Sequence, residues 1–450
     1  MLIKARYVLP VSAPSIENGA VVVRDEKIVA VGAASDLERA YADEPVTDFG
    51  LAALIPGFVD AHTHLEYTAL RGIVDDVPYA QWKSKVMAHE AAFTARDWED
   101  SAQLGALEAL ASGITTIADI TQTGASGRAA QDVGLRGVIY REVEGMERHQ
   151  LDAVMDRALA DIAEWEAAFD ADRLEVGIAP HSPYSCHPQL FSAVRDYAAD
   201  GRPVAMHLAG SLEEYQFVKY GSSMLGFEVR EQYDAAAPLW LPTGVSPVRY
   251  VDQWQIFSVP RFLAIHCTQV DREDIEILAR SQVAIATCPR CNAKLGMGTA
   301  PIDEFLEAGL TIGLGTDSPA ATNTMGMFAE MSNGLLIQRS QSTPTRKRFF
   351  SAHQYLQFAT LDGARALGLD DRVGSLEPGK LADLVVVDLT HSAQVPTREP
   401  ESALVHTSHR SDIVLVMVGG KALYADGDWT GQDGAAIKAR VETIRDKLRV

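Results

Sequence analysis

The stretch Pro56-Gly57-Phe58-Val59-Asp60-Ala61-His62-Thr63-His64 leads an apolar run, which begins at Leu51, directly into two histidines. His62 and His64 are two residues apart, and in a β-strand such residues point to the same face. Two imidazoles on one face can bind one metal ion, and imidazole suits zinc, iron, nickel or copper. The stretch therefore predicts a metal site at the C-terminal end of a buried strand.

Short apolar runs and longer amphipathic stretches alternate through the middle of the chain. Amphipathic stretches at 97–111, 151–169 and 272–280 are predicted helices. Nearly continuous apolar strands between helices indicate a parallel sheet covered on both faces. Eight such strands predict an α/β fold of the (β/α)₈ TIM-barrel type, and their number disfavours the alternative, a doubly wound open sheet. The predicted strands are 53–59, 115–120, 137–140, 174–179, 203–206, 262–265, 283–286 and 311–314.

Both ends of the chain have a different pattern, with short strands separated by turns. Strands are predicted at 2–8, 20–23 and 27–31, and again at 381–387, 413–418 and 421–424, where Gly419-Gly420 forms a hairpin turn. Neither end alone has enough strands to bury a face. We therefore predict a small β-sandwich-like domain formed by residues 1–55 and 376–450, and a hydrolase barrel formed by residues 56–375.

The composition excludes several classes of partner. The 450 residues carry a formal net charge of -21, which would be repelled by nucleic-acid backbones and anionic membrane surfaces. No apolar run reaches transmembrane length, and the N-terminus lacks the apolar core of a signal peptide. Four cysteines occur without a paired CxxC arrangement. These features predict a cytoplasmic protein with reduced thiols.

Five of the twelve histidines follow predicted barrel strands, where active-site residues of barrels lie. Strand 1 ends in His62 and His64, and strand 8 ends in Thr316-Asp317-Ser318. The remaining histidines at strand ends are His181 on strand 4, His207 on strand 5 and His266 on strand 6. This convergence predicts a metal centre at the carboxyl end of the barrel.

These motifs resemble the amidohydrolase superfamily over nearly the whole chain. His62-Thr63-His64 is similar to its strand-1 metal pair, and the stretch from Gly313 to Ser318 is similar to its strand-8 aspartate motif. The stretch from Gly374 to Leu384 is similar to the return into the terminal domain. Two-metal members usually bridge their ions with a lysine or glutamate late in strand 3 or 4. No lysine lies between Lys85 and Lys219, although Glu142 remains a formal possibility.

The resemblance therefore favours the one-metal branch, which includes nucleoside and pterin deaminases and s-triazine hydrolases. It implies one divalent ion per chain, with zinc expected and iron as the alternative. The implied ligands are His62, His64, His207 and Asp317. Asp317 would accept the proton of the activated water, and His266 would polarise the leaving group or stabilise charge in the intermediate.

One position departs from the deaminases of this branch. They usually carry a glutamate three residues after the strand-5 histidine, and it delivers a proton to the ring nitrogen. Here that residue is Gly210. Three explanations stay open: Glu213 or Glu214 replaces it, the substrate does not need the proton, or the protein is a weak or inactive relative.

Further features suggest the subclass. His181-Ser182-Pro183-Tyr184 resembles the substrate-contacting strand-4 loop of adenosine-analogue deaminases. The segment from Cys288 to Gly296 resembles the strand-7 loop of aminofutalosine-deaminase-like proteins. The block Cys288-Pro289-Arg290-Cys291 is interpreted as a loop with two thiols rather than a second metal site. The expected substrate contacts are His181, Arg290, Asn292 and Ser318.

The predicted activity is hydrolytic deamination of an adenine-nucleoside-like or related amino-heterocycle. The alternatives are hydrolysis of another C–X bond, as in a chlorohydrolase or a cyclic amidohydrolase, and a non-catalytic relative. The long connection from Tyr220 to Ser258, which contains Trp240 and Trp254, is interpreted as a lid or pocket wall, with a dimer contact as the rival reading. A homodimer or larger homo-oligomer is expected.

Overall fold

The computed structural model describes residues 1–226, 241–341 and 348–448. The chain begins with five short strands. β1 is central among them, since it pairs antiparallel with β2 and parallel with β4 and β5. The five strands are β1 (Leu2–Val8), β2 (Ile16–Arg24), β3 (Lys27–Ala33), β4 (Val46–Asp48) and β5 (Ala52–Pro56).

Eight parallel strands follow and form one sheet in strict chain order, which confirms the predicted barrel. A parallel bridge between Thr63 and Asp317 joins the first strand to the region after the last. All residues of β6, β7 and β11 are buried, as expected for strands covered on both faces. The strands are β6 (Phe58–Thr63), β7 (Ile114–Thr121), β8 (Arg136–Val143), β9 (Leu174–Pro180), β10 (Val204–Leu208), β11 (Phe262–His266), β12 (Ala284–Thr287) and β13 (Ile312–Leu314).

The predicted first barrel strand, 53–59, is divided at Gly57. Its first half is β5, which belongs to the terminal sheet, and its second half begins β6 of the barrel. A Cβ atom at Gly57 would lie 2.1 Å from Thr115 Oγ1, so only glycine allows the neighbouring strand to approach here. The prediction of one continuous strand was wrong because the apolar pattern does not reveal which sheet each half joins.

The C-terminal strands complete the terminal sheet. β14 (Leu384–Asp388) pairs with β5 and with β15 (Ile413–Val418), which is followed by β16 (Lys421–Ala425) and β17 (Asp428–Trp429). The described strands of both termini form one mixed nine-stranded sheet. The limits 1–55 with 376–450, and 56–375, stay a prediction.

Helices cover the barrel and connect its strands. None of the described helices is long and apolar enough to cross a membrane. The α-helices are Ala34–Ala40, Tyr79–Glu90, Ala95–Ala111, Ala125–Val133, Leu151–Ala168, Pro188–Tyr197, Leu212–Tyr220, Pro247–Asp252, Arg272–Arg280, Pro289–Lys294, Ile302–Glu307, Pro319–Thr322, Met327–Ser340, Ala352–Phe358, Leu361–Leu367, Pro400–His406 and Gly434–Lys447. Short 3₁₀ helices lie at Leu65–Leu70, Arg148–Gln150, Ile256–Ser258 and Arg410–Asp412.

The connection interpreted as a lid lies partly outside the described residues, since these stop at 226 and resume at 241, beyond Trp240. In its described part, Tyr250 is buried and packs edge-on against Phe191, with 6.3 Å between ring centroids. This part of the connection therefore packs on the helical layer of the barrel.

A buried ion pair joins the barrel to the terminal sheet. Arg136 Nε lies 3.0 Å from Asp383 Oδ2, and both side chains are at most 3% exposed. Asp383 Oδ1 also accepts the backbone N–H of Gly419 at 2.6 Å, and Arg136 Nη1 donates to the carbonyl of Asp172. Both charges are thus compensated without access to water.

Replacing Asp383 with alanine should lower the free energy of unfolding by about 3–5 kcal/mol, because it leaves the Arg136 charge buried and unpaired. Urea unfolding followed by circular dichroism measures the change. Asp36→Ala is the matched control, since Asp36 and Arg39 form a pair with 67% and 80% of their side chains exposed. That control should cost less than about 1 kcal/mol. Equal unfolding midpoints for the two variants would contradict the proposed role of the buried pair.

Candidate active site

The site begins with the alternation of side chains along β6. Asp60 and His62 share a face of the strand. Asp60 Oδ1 accepts the backbone N–H of Thr316 at 2.8 Å, and Asp60 Oδ2 accepts the Thr316 hydroxyl at 2.5 Å. These bonds tie β6 to the segment after β13 and bring Asp317 Oδ1 to 3.5 Å from His62 Nε2.

Backbone carbonyls orient two of the other imidazoles. His64 Nδ1 lies 2.9 Å from the carbonyl oxygen of Ile120, and His207 Nδ1 lies 3.0 Å from that of His181. Because a carbonyl oxygen only accepts, each Nδ1 must carry the proton, which leaves the Nε2 lone pair free. Hydrogen bonds of this kind commonly orient metal-binding histidines.

The imidazoles converge at the carboxyl end of the barrel. The ring centroid of His62 lies 4.8 Å from that of His64, 5.0 Å from that of His207 and 5.9 Å from that of His266. The possible ligand atoms of His62, His64 and Asp317 lie within 4.8 Å of one another, and so do those of His62, His207 and His266. The structure therefore brings together all the residues predicted at the centre.

A divalent ion fits these residues, as a buried polar atom indicates. His62 is 1% exposed, and its Nε2 has no hydrogen-bond partner among the described residues. An unpaired buried nitrogen is costly unless something else binds it. Imidazole nitrogens and a carboxylate oxygen are the donors that zinc prefers. The residues could therefore form a metal site around His62 Nε2.

The electrostatics of the centre suit metal binding. Burial lowers the pKa of His64 to about 3 and that of His266 to about 4, so both rings are neutral at pH 7. Burial alone would raise the pKa of Asp317, but its interactions with the neighbouring His62 and His266 rings outweigh it and hold that pKa well below its usual value. The centre thus offers neutral rings at His64 and His266 and an ionised carboxylate at Asp317.

Two of the central residues have a backbone conformation that is rare for residues with a side chain. His266 has φ 73° and Asp317 has φ 57°, both in the left-handed region. Such conformations concentrate at functional sites, where the surrounding structure holds them. Asn292 Oδ1, 2.9 Å from Nδ1, helps to hold the ring of His266.

A cavity opens above the imidazoles, and several of its wall residues were not predicted. Tyr67, Tyr79, Trp82, Lys83 and Glu90 come from the segment that follows β6, and they have no strand-end position that a sequence pattern could reveal. Gln122, Glu142 and Glu144 come from the ends of β7 and β8. Burial raises the pKa of Glu90 to about 7 and that of Glu142 to about 8.

Of the four expected substrate contacts, His181 and Ser318 line this cavity. His181 Nδ1 lies 2.6 Å from Ser185 Oγ, and its Nε2 lies 3.0 Å from Lys83 Nζ. The Ser318 hydroxyl oxygen caps the short helix Pro319–Thr322 by accepting the N–H of Ala320.

The structure does not bring Arg290 and Asn292 to the cavity wall. The Arg290 guanidinium donates to the Thr322 carbonyl at 2.7 Å and lies 3.4 Å from Glu330 Oε1, where it compensates a carboxylate that is fully buried. The Asn292 amide oxygen lies 2.9 Å from His266 Nδ1 and is engaged by that ring. Sequence spacing could not show these partners, since they come from other parts of the chain.

Glu214 lies near the position of the missing glutamate, but its carboxylate is hydrogen-bonded to the backbone. Its two carboxylate oxygens accept the N–H groups of Ala209 and Gly210 at 2.9 and 2.8 Å. Neither Glu213 nor Glu214 lines the cavity. Glu214 therefore holds the turn that follows β10, the strand that carries His207.

Two further groups of possible ligands adjoin the centre. Glu142, His181 and His207 form one group, and Lys83 Nζ contacts His181 within it. Because an ammonium group already lies there, a second cation would be repelled. Cys288 forms the other group with His266 and Asp317, while Cys291 lines the cavity. Both cysteines are free and buried.

Comparisons with known proteins identify the family of the chain. The family model "Amidohydrolase family" matches residues 53–423, and the model "Imidazolonepropionase-like composite domain, bacteria" matches residues 19–43. A 5-methylthioadenosine/S-adenosylhomocysteine deaminase of Moorella thermoacetica is 33% identical over 445 residues, 98% of each chain. A 5'-deoxyadenosine deaminase of Methanothermobacter thermautotrophicus is 31% identical over 420 residues, 92% of this chain and 91% of that one.

Among solved structures, an adenosine deaminase from Xanthomonas campestris with bound zinc superposes with a TM-score of 0.86 at 28% identity. The superposition covers 100% of this chain and 98% of that one. The family match spans most of the sequence, and the relatives cover nearly all of it. The chain therefore belongs to the amidohydrolase family.

Proposed function

We propose that this protein is a metal-dependent aminohydrolase that removes the exocyclic amine of an adenine-nucleoside-like substrate by hydrolysis. The observation that carries the proposal is the convergence of His62, His64, His207, His266 and Asp317 around the unpaired Nε2 of His62. The two relatives that match nearly the whole chain are named as deaminases of adenine nucleosides, which supports the substrate class.

The proposed metal ligands are His62, His64, His207 and Asp317, and the proposed occupant is one zinc ion. When bound, a divalent ion supplies a hydroxide nucleophile from water near neutral pH. The ammonium group of Lys83 beside His181 favours one ion over two.

The protein residues then handle the protons. Asp317, kept ionised by its imidazole neighbours, can accept the proton of the attacking water. His266 Nε2 lies 3.9 Å from Asp317 Oδ2, and its other nitrogen is engaged by Asn292. A neutral His266 ring that carries its proton on Nδ1 can take a second proton at Nε2 and pass it to the departing amine.

The cavity walls support a substrate with a planar ring and hydroxyl groups. Tyr79 and Trp82 present nearly parallel rings whose centroids are 6.4 Å apart, which offers an apolar face for a heterocycle. The carboxylates of Glu90 and Glu144 can accept hydrogen bonds from sugar hydroxyls.

Gly210 is the specific observation that favours a second candidate. Without a carboxylate at that position, a substrate whose ring carbon needs no prior protonation would be favoured, as in hydrolysis of another C–X bond.

A homo-oligomer and a cytoplasmic location remain predictions.

The test is ammonia release from a panel of adenosine, 5'-deoxyadenosine, 5-methylthioadenosine, S-adenosylhomocysteine, pterins and guanine, with the protein loaded with zinc. We expect turnover of at least one adenine nucleoside, with the amine replaced by a carbonyl in the product. Chloride release from a chlorinated triazine without ammonia release would favour the second candidate. No turnover of any adenine nucleoside would contradict the proposal.

A further inference from the structure

Hydrolytic deamination requires a proton at the ring nitrogen, and the usual source is absent at Gly210. A Cβ atom at Gly210 would lie 3.1 Å from His266 Cδ2 and 3.2 Å from Met297 Cε. The space beside His266 is therefore filled by protein atoms. A proton carrier among the described residues would therefore approach the substrate from another side.

The neighbouring glutamates of the turn cannot supply it. Both oxygens of Glu214 are engaged by backbone N–H groups, and the side chain is 3% exposed. Glu213 is partly exposed and lies outside the cavity wall. Among the described residues, the carboxyl groups that line the cavity, apart from Asp317, are those of Glu90, Glu142 and Glu144.

Glu142 is the one of these three that lies near a proposed metal ligand, His207. It is the penultimate residue of β8 and is 7% exposed. One of its carboxylate oxygens lies within 4.8 Å of ring nitrogens of both His181 and His207. Gln122 Nε2 donates to its Oε2 at 2.8 Å, which fixes the carboxyl group toward the cavity.

The other two carboxyl groups lie in less suitable positions. Glu144 follows the end of β8, its side chain is 29% exposed, and its carboxylate lies 4.0 Å from His181 Nδ1. Glu144 is therefore more exposed than the buried Glu142. Glu90, at the end of the helix Tyr79–Glu90, accepts a hydrogen bond from Tyr67.

We propose that Glu142, on the third barrel strand, carries the proton to the substrate ring nitrogen in place of the glutamate missing at Gly210. This assignment rests on the proposed deaminase function. The proton carrier is thus moved from the fifth strand to the third.

The proposed step balances as follows. Glu142 begins as a carboxylic acid and gives its proton to the ring nitrogen, while the water oxygen bonds to the ring carbon and the water proton goes to Asp317. The new hydroxyl then returns a proton to Glu142 as the carbonyl forms. The carbon–nitrogen bond breaks, and the amine leaves as ammonia with the proton held by Asp317, passed through His266. Water thus provides the carbonyl oxygen and two protons, and Glu142 is regenerated.

The experiment compares Glu142→Gln with the wild type on an adenine nucleoside that the wild type deaminates. Glutamine keeps the size of the side chain and can still accept the bond from Gln122, but it cannot transfer the proton. We expect kcat to fall by about 10²–10⁴-fold, the usual contribution of a general acid, with KM within a few-fold of wild type. Glu142→Gly, measured with added formate, should recover part of the lost kcat, because formate can enter the cavity and carry the proton.

Two further variants complete the test. Glu213→Gln removes a carboxylate outside the cavity and should keep wild-type kcat, while Glu144→Gln should affect KM more than kcat. An unchanged kcat in Glu142→Gln, or a loss in Glu142→Gly that formate does not restore, would overturn the assignment. A wild type that deaminates no adenine nucleoside overturns both the proposed function and the Glu142 assignment. An active wild type with an unaffected Glu142→Gln variant overturns the Glu142 assignment alone.

Discussion

Replacing Asp317 with asparagine should abolish measurable turnover, with a loss of at least about 10³-fold in kcat. The carboxylate has two proposed tasks, since it is a ligand and also the acceptor of the water proton. Asparagine is nearly the same size and can still offer an oxygen, but it cannot take a proton near neutral pH. The measurement is the initial rate of ammonia release from zinc-loaded protein.

Two controls separate chemistry from folding in this variant. Zinc content per chain shows whether the ion is still bound, and circular dichroism shows whether the barrel has formed. Asp36→Asn, in an exposed ion pair of the helix Ala34–Ala40, should keep the wild-type rate, since Asp36 does not line the cavity. An Asp317→Asn protein that binds zinc and turns over at the wild-type rate would refute the proposed proton transfer.

The alternation of strands and helices was readable from the sequence because buried parallel strands are almost continuously apolar. The predicted strand 262–265 and helix 272–280 correspond to Phe262–His266 and Arg272–Arg280 in the structure. The split at Gly57 was not readable, because pairing partners far along the chain decide which sheet each half joins.

The central residues could be identified from the sequence for a topological reason. Parallel strands of a barrel all end at one face, so His62, His207 and Asp317 had to approach one another once the strands were known. Side chains on loops and helices have no such constraint. Arg290 turns to the buried Glu330, Asn292 bonds to His266, and Lys83 reaches the cavity from a helix.

The crowding of imidazole rings at the centre also has a consequence for stability. Four imidazole rings lie close together here, those of His62, His64, His207 and His266. The ring centroid of His62 is 4.8 Å from that of His64 and 5.0 Å from that of His207, and the Nε2 of His62 has no hydrogen-bond partner among the described residues. A bound ion would compensate these groups only in the folded state. Folding and metal binding should therefore be linked.

Removing the metal with a chelator should eliminate ammonia release, and one equivalent of zinc per chain should restore it. At a free zinc concentration 1,000 times the dissociation constant, binding to the folded state alone adds about 4 kcal/mol to the free energy of unfolding. Zinc titration of the chelated protein, followed by thermal unfolding and activity, measures both effects. His64→Ala should weaken both responses together, whereas His391→Ala, an exposed histidine of the terminal region, should change neither. Saturation at two ions per chain would refute the single-ion centre.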